Sequence, residues 1–193
     1  ELCSRFDLGV ALSADPVALR SLPEALRAGR GQLTVTVWRD REAIRFEPCF
    51  SERALGLAVD LGTTTLGALL CDLGTGNVLA QASTHNPQIR WGEDIMNRVA
   101  SANRDGQLAL MQRAVAEAIG ELARDATLAV GATPQDVVEL VVVANTVMHH
   151  IFLGLDVHSL GVVPFSPTVS RSLDIKAREL GIPVLPSANV HLL

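Results

Sequence analysis

The chain has 193 residues, which is enough for one domain or one and a half. Hydrophobic residues make up 48% and charged residues 19%, which is typical of a globular protein, and the formal net charge of −5 argues against nonspecific nucleic-acid binding. No apolar run approaches the ~20 residues of a membrane span, so we expect no contact with a membrane.

The cysteines are few and widely spaced, at Cys3, Cys49 and Cys71. No C-x-x-C pair exists, so the chain offers neither a disulfide framework nor a cysteine site for zinc or an iron–sulfur cluster. This usage favours a cytoplasmic location. The chain opens at Glu1 with no signal-peptide pattern and closes on a strand-like run, so we expect an internal fragment of a longer protein.

Residues 1–52 have an organisation of their own. The spacing of Ser21 and Glu24 predicts a capping box for a helix that ends at Gly29. Alternating residues 33–38 and the run 43–47 then predict a hairpin. Some fifty residues bury too little core to fold alone, and no chemistry is visible in them.

The next segment reads as strand, polar turn and strand. Leu57–Val59 fits a buried strand that ends at Asp60, and Gly62 suits a sharp turn. Backbone N–H groups and hydroxyls follow at Thr63, Thr64 and Thr65. Such donors beside one carboxylate suit a phosphate chain with Mg²⁺, which needs only one or two protein ligands because it keeps most of its waters. An ordinary hairpin with a polar tip fits the same pattern.

A second concentration of polar residues covers residues 84–94. Asn86 before Pro87 predicts a turn, and Glu93 and Asp94 are expected in the first turn of a helix. The helix dipole by itself explains two carboxylates there. The alternative hypothesis is that one of them orients water or faces Mg²⁺ near the phosphates.

The second half of the chain alternates helix and strand. Val141–Ala144 belongs to a buried central strand that ends at Asn145 and Thr146, where a short helix begins. Asn145 suits a helix cap, and both residues are also candidate site residues because functional groups gather at strand ends that open into helices. An amphipathic stripe on the preceding long helix is predicted to face the sheet: Leu108, Met111, Val115, Ile119 and Leu122.

His149 and His150 are adjacent, so on a helix they point about 100° apart and cannot comfortably share a metal. We expect hydrogen-bonded structural histidines. Residues 155–170 form a long connection, residues 170–179 are expected to form a strand, and residues 188–193 begin another. Three consecutive strands followed by alternating helices and strands predict an α/β fold with a mixed sheet.

Three stretches carry a family resemblance. The run Asp60–Thr65 resembles the first phosphate loop of the superfamily of acetate and sugar kinases, large heat-shock chaperones and actin. More narrowly, residues 84–94 and 143–150 resemble the reductive activators of corrinoid proteins. The similarity is good over about residues 53–193 and looser over residues 1–52.

The resemblance implies an arrangement for the chain. Residues 1–52 would be the small α+β C-terminal part of a middle domain, and residues 53–193 the first half of an actin-like ATPase domain with a ribonuclease-H-like core. In this half, Asp60 would hold Mg²⁺ through water. The β- and γ-phosphates would be held by Gly62, Thr63, Thr64 and Thr65.

The resemblance also implies a function. Such activators use ATP and Mg²⁺ to drive the Co(II) to Co(I) reduction of a corrinoid protein in a methyltransferase system, with electrons from a [2Fe–2S] domain that lies outside this chain. The fragment alone is expected to be inactive. A homodimer is one possible oligomeric state, which the sequence does not decide. The alternatives are a small-molecule kinase, an activator of 2-hydroxyacyl-CoA dehydratases, and a non-enzymatic scaffold whose assembly is switched by nucleotide binding.

Overall fold

The computed structural model describes residues 12–193, which form two β-sheets. Cys3 and the first eleven residues of the predicted segment 1–52 lie outside the described residues. The smaller sheet has the order β1-β3-β2, with β1 parallel and β2 antiparallel to β3, and helix α1 (Leu22–Ala28) packs on it. Its strands are β1 (Ser13–Ala14), β2 (Leu33–Trp38) and β3 (Glu42–Pro48). The predicted helix and hairpin are therefore confirmed.

The larger sheet has six strands in the order β6-β5-β4-β7-β9-β8. Its centre is parallel, because β4, β7 and β9 run in one direction, whereas β5, β6 and β8 pair antiparallel to their neighbours. The mixed sheet expected from the sequence is thus present. Its strands are β4 (Leu55–Leu61), β5 (Thr65–Asp72), β6 (Val78–His85), β7 (Val137–Ala144), β8 (Leu173–Lys176) and β9 (Asn189–Leu192).

The helices of the larger unit cover one face of this sheet. The 22-residue α3 packs against β5, β6 and α4, and four of the five predicted stripe residues are at most 2% exposed, whereas Leu108 is half-buried. Burying each such side chain stabilises the fold by roughly 1.5–3 kcal/mol. These helices are α2 (Ile95–Ala102), α3 (Gln107–Leu128), α4 (Thr146–Leu153) and α5 (Ala177–Leu180). None of the helices in residues 12–193 is long and apolar enough to cross a membrane.

The opposite face of the sheet is open over its centre. Ala58, Leu69 and Val143 are exposed there beside the carboxylate of Asp60. A groove of about 570 Å³ runs across this face. Asp60 therefore lies on an open surface, close to the turn that joins β4 and β5.

Polar contacts join the two sheets. Arg45 of β3 pairs with Asp136 at 2.6 Å, and Arg178 of α5 pairs with Asp15 at 2.7 Å. The hydroxyl of Ser187 also donates to the carbonyl of Ile44 at 2.6 Å. The smaller unit, whose core within residues 12–193 is only a few residues, is thus held against the edge of the larger one.

Two local predictions were wrong. The capping box at Ser21 and Glu24 is absent, because a 3₁₀ turn ends immediately before Ser21 and keeps its backbone helical (φ −82°, ψ −18°). The Ser21 hydroxyl consequently donates back to the carbonyl of Ala18 at 2.8 Å. The strand expected at residues 170–179 stops at Lys176, and the helical spacing of Ala177 and Leu180 buries both side chains on one face of α5.

Candidate functional site

The threonine loop, residues 62–64, is the tight connection between β4 and β5. The Gly62 N–H donates to the carbonyl of Thr65 at 3.1 Å and closes the turn. A Cβ at position 62 would lie only 2.7 Å from that carbonyl oxygen. Glycine is required here by this close approach to the backbone, because its φ is not in the left-handed region.

The carbonyl groups of the threonine loop are held from the protein interior. The buried Asn86 side-chain amide donates to the Gly62 carbonyl at 2.8 Å, and the Asn86 backbone N–H donates to the Thr64 carbonyl at 2.8 Å. Between them, the Arg98 guanidinium donates to the Thr63 carbonyl at 2.5 Å. Three consecutive carbonyls therefore face the core.

This arrangement determines where the loop's N–H groups point. In a trans peptide the N–H lies opposite the carbonyl of the preceding residue, so the N–H groups of Thr63 and Thr64 face away from the core. Within residues 12–193 neither of them donates to a protein acceptor. Two adjacent unpaired donors, with threonine hydroxyls beside them, can bind the oxygens of an anion.

The two strand ends predicted to share a site do come together. The Asn145 side-chain amide donates to the Thr63 hydroxyl at 3.3 Å, while its carbonyl accepts from the Met148 N–H at 3.0 Å as the cap of α4. Asn145 is therefore the cap of α4 and also contacts the threonine loop, and its role as a site residue stays a prediction. Thr146 is exposed at the first position of α4, and its carbonyl accepts from the His150 ring.

Asp60 lies on the open face of the sheet, two residues before the threonine loop. Its neighbours in register are Gly67 on β5 and Val143 on β7. Its exposed carboxylate accepts no hydrogen bond from any residue that the structure describes. It is therefore available to water or to a hydrated cation.

Glu93 and Asp94 line, together with Thr63, a second cavity of about 480 Å³. The prediction that both belong to the first helical turn was wrong, because α2 begins at Ile95 and Asp94 is its cap. The Asp94 carboxylate accepts from the backbone N–H of Asn97 at 2.8 Å and from its side-chain amide at 2.7 Å. Glu93 is exposed and makes no such bond within the described residues, so it is the freer carboxylate.

The main residues that sequence analysis missed are Asn86 and Arg98 as supports of the threonine loop. Asn86 was recognised only as part of a turn. Arg98 is fully buried, and burial lowers the pKa of its guanidinium, with Asp94 partly opposing this. A signal was available, because Arg98 shares a helical face with Ile95 and Ala102, where a charged residue is out of place.

The prediction of structural histidines is confirmed for His150. Its Nδ1 donates to the Thr146 carbonyl at 2.7 Å, and its Nε2 accepts from the N–H groups of Thr168 at 3.0 Å and Val169 at 3.3 Å. Both ring nitrogens are thus occupied, and His150 holds the long connection against α4. His149 is also buried, and this burial lowers its pKa.

A mixed sheet with helices on one face and a threonine loop between two antiparallel strands is one half of an actin-like fold. A family model described as the RACo middle region matches residues 55–193, and the chain belongs to that family.

Two similar proteins have names that describe the activation of corrinoid proteins. The corrinoid activation enzyme RamQ of Eubacterium limosum is 29% identical over 136 residues, which are 70% of this chain and 23% of that protein. A solved structure described as a reductive activator for corrinoid, iron–sulfur protein matches with a TM-score of 0.82 and 26% identity, over 100% of this chain and 31% of that one. The chain thus spans less than a third of the length of either relative.

Proposed function

We propose that this chain is part of an ATP-dependent reductive activator that drives the Co(II) to Co(I) reduction of a corrinoid protein. The family and the names of both relatives support the activation of a corrinoid protein. The observation that carries the ATP part of the proposal is the threonine loop, whose carbonyls are held inward and whose N–H groups are free to bind phosphate.

Each site residue has a proposed task. The N–H groups of Thr63 and Thr64 and the hydroxyls of Thr63, Thr64 and Thr65 bind the β- and γ-phosphates and hold them without any covalent step, while Gly62 allows the tight turn that brings these groups together. Asp60 holds Mg²⁺ through water, which fits a lone exposed carboxylate because Mg²⁺ retains most of its hydration shell. ATP, when bound, supplies the free energy for an electron transfer that is otherwise uphill.

The flanking residues complete the proposed site. Asn145 orients the Thr63 hydroxyl, and Thr146 presents its own hydroxyl beside that contact. Of the two acidic residues that line the cavity next to Thr63, Glu93 is the better candidate for orienting water, because the carboxylate of Asp94 is occupied by Asn97.

The electron source and the rest of the ATP site are proposed to lie outside this chain. Within residues 12–193, Cys49 and Cys71 are free; Cys49 follows β3 of the small sheet and Cys71 lies in β5 of the large one, so we place the [2Fe–2S] cluster in another domain of the full-length protein. We also propose that residues 53–193 are the first half of the ATPase domain. The family description applies the term middle region to residues 55–193, and the assignment of a middle domain to residues 1–52 stays a prediction.

The proposed partner is a corrinoid protein of a methyltransferase system. The low cysteine count supports action in a reducing cytoplasm. ATP binding between the two halves of the actin-like fold would favour one of two interdomain arrangements, and hydrolysis would release it. The interface with the partner changes between these arrangements.

The test mixes the full-length protein with a Co(II) corrinoid protein and a reductant, and follows the Co(I) absorbance with and without Mg²⁺-ATP. We expect Co(I) to appear only when Mg²⁺-ATP is present. Steady ATP hydrolysis without any Co(I) would contradict the proposal and favour a kinase or a nucleotide-switched scaffold.

The same assay tests the role of Asp60. We expect Asp60→Ala to abolish Mg²⁺-ATP-dependent Co(I) formation while its melting temperature stays at the wild-type value, because the carboxylate supports no hydrogen bond in the described fold. Asp125→Ala is the matched control, since Asp125 is exposed on α3 and remote from the threonine loop. Unchanged activation rates in Asp60→Ala would remove Asp60 from the site.

A further inference from the structure

Arg98 is a buried cation without a carboxylate partner. Its side chain is 0% exposed, and among the described residues it forms no ion pair. The nearest acidic group acting on it, Asp94, has both of its carboxylate oxygens bonded to Asn97. A buried charge of this kind is costly unless some other group compensates it.

The contacts of Arg98 join three segments around the threonine loop. Its Nη2 donates to the Thr63 carbonyl at 2.5 Å, its Nε donates to the Gly92 carbonyl at 2.9 Å, and its Nη1 contacts the sulfur of Met148 at 3.2 Å. The acceptors are two carbonyls and a thioether, all of them neutral. The hydrogen bonds are therefore made, but among the described residues no carboxylate forms an ion pair with the guanidinium, and Asp94 compensates its charge only in part and from a greater distance.

The guanidinium of Arg98 lies directly against the threonine loop. Because Arg98 bonds the Thr63 carbonyl, the N–H of the same peptide, which belongs to Thr64, is turned away from the guanidinium and out of the core. The cation thus lies behind two unpaired N–H groups, and its field adds to theirs in a partly desolvated region. A negatively charged ligand at the loop would compensate the charge that the protein leaves unpaired.

We propose that Arg98 is a positioning residue for phosphate binding, which orients the Thr64 N–H through the Thr63 carbonyl and contributes the buried positive charge that a phosphate chain neutralises. This inference rests on the proposed ATP site, and it assigns to α2 a function in anion binding beyond its packing. Arg98 does not touch the ligand; it acts through the loop.

The experiment uses the full-length protein and measures the affinity for inorganic tripolyphosphate with Mg²⁺ by calorimetry. We expect Arg98→Met to weaken binding by about tenfold or more, because a charge-assisted hydrogen bond and a buried charge are both lost. We expect Arg98→Lys, which keeps the charge but cannot reach all three acceptors, to bind with intermediate affinity. Arg113→Met is the matched control, since Arg113 is exposed on α3, and we expect it to bind like the wild type.

The outcomes separate this inference from the proposed function. A wild-type protein that binds neither tripolyphosphate nor ATP overturns both. Wild-type binding that Arg98→Met leaves unchanged overturns only the role of Arg98, as does an Arg98→Lys variant that binds no better than Arg98→Met. If Arg98→Met does not fold, Arg98→Lys decides: a cooperatively melting variant with wild-type affinity contradicts the inference, and one with weakened affinity supports it.

Discussion

The contact between Gly62 and the Thr65 carbonyl shows how one missing side chain shapes the threonine loop. The turn closes with a hydrogen bond from Gly62 to the same carbonyl that any Cβ would approach to 2.7 Å. The loop can therefore be this tight only with glycine at position 62. Its tightness also places the Thr63 and Thr64 N–H groups next to each other on one side.

We expect Gly62→Ala to lower the free energy of unfolding by about 1–3 kcal/mol, because the added methyl group must push the backbone carbonyl away. The displaced loop should also lose affinity for Mg²⁺-ATP. Gly67→Ala is the control for stability, since Gly67 lies close by in β5 and a Cβ there meets nothing within 4 Å. Denaturant unfolding and ATP titration of both variants measure the two effects, and equal stability of the two would contradict the steric argument.

At the scale of one element, helix α4 connects the site to the long connection that follows it. Its cap, Asn145, contacts the Thr63 hydroxyl, and one turn later His150 receives two backbone N–H groups from the 155–170 segment. The start and the middle of this eight-residue helix are thus fixed by polar contacts with other segments. The buried His149 next to His150 makes the stability of this element depend on pH.

The sign of that dependence follows from the lowered pKa of His149. Burial disfavours the protonated ring in the folded state, whereas an unfolded histidine titrates near pH 6.5. The unfolded chain therefore binds more protons below that pH. The stability due to a neutral His149 is complete above about pH 6.5 and is lost as the pH falls toward the folded pKa.

We expect the free energy of unfolding to fall between pH 7.5 and about 5.5, and to fall less steeply in His149→Gln, which cannot be protonated. Denaturant unfolding at several pH values checks this difference. His158→Gln is the control, since His158 is exposed and the same slope as in the wild type is expected. Identical slopes in His149→Gln and the wild type would contradict the assignment.

At the scale of the whole molecule, charged contacts hold the small sheet against the large one. The Asp15 carboxyl is 1% exposed, and burial alone would raise its pKa. The hydrogen bonds from Arg178 and from the backbone N–H groups of Ala18 and Val17 outweigh this effect, so its pKa lies below the usual value. Asp15 is thus ionised in the fold and depends on Arg178 for its compensating charge.

We expect Arg178→Met to lower the free energy of unfolding by about 1.5–3 kcal/mol, because a buried carboxylate loses a charged hydrogen-bond partner. The matched control is Arg39→Met, whose partner is Asp174 at 3.1 Å and whose side chain is 54% exposed, so we expect a loss of at most about 1 kcal/mol. Thermal or denaturant unfolding compares the two. A larger loss in Arg39→Met would contradict the view that burial decides the strength of these contacts.

Much of the fold could be predicted because its signals are local. The stripe on α3 and the apolar run of β7 follow from helical and strand periodicity, and Asn145 was correctly predicted as a helix cap. Ser21 was wrongly predicted as a helix cap because a 3₁₀ turn precedes it, and Glu93 was wrongly predicted inside a helix because α2 begins only at Ile95. Such boundaries depend on neighbouring elements, which the local pattern does not contain.

The sequence by itself determined which groups are available for chemistry: a carboxylate at Asp60, the threonine hydroxyls after Gly62, and an amide at Asn145. Only the tertiary structure decided how they are used, because the residues that hold the loop come from other segments. Asn86 follows β6 and Arg98 lies on α2, and each bonds loop carbonyls from more than twenty residues away in the sequence. The direction of the N–H groups is a consequence of that packing, since a peptide plane turns as a unit and its carbonyls are held in the core.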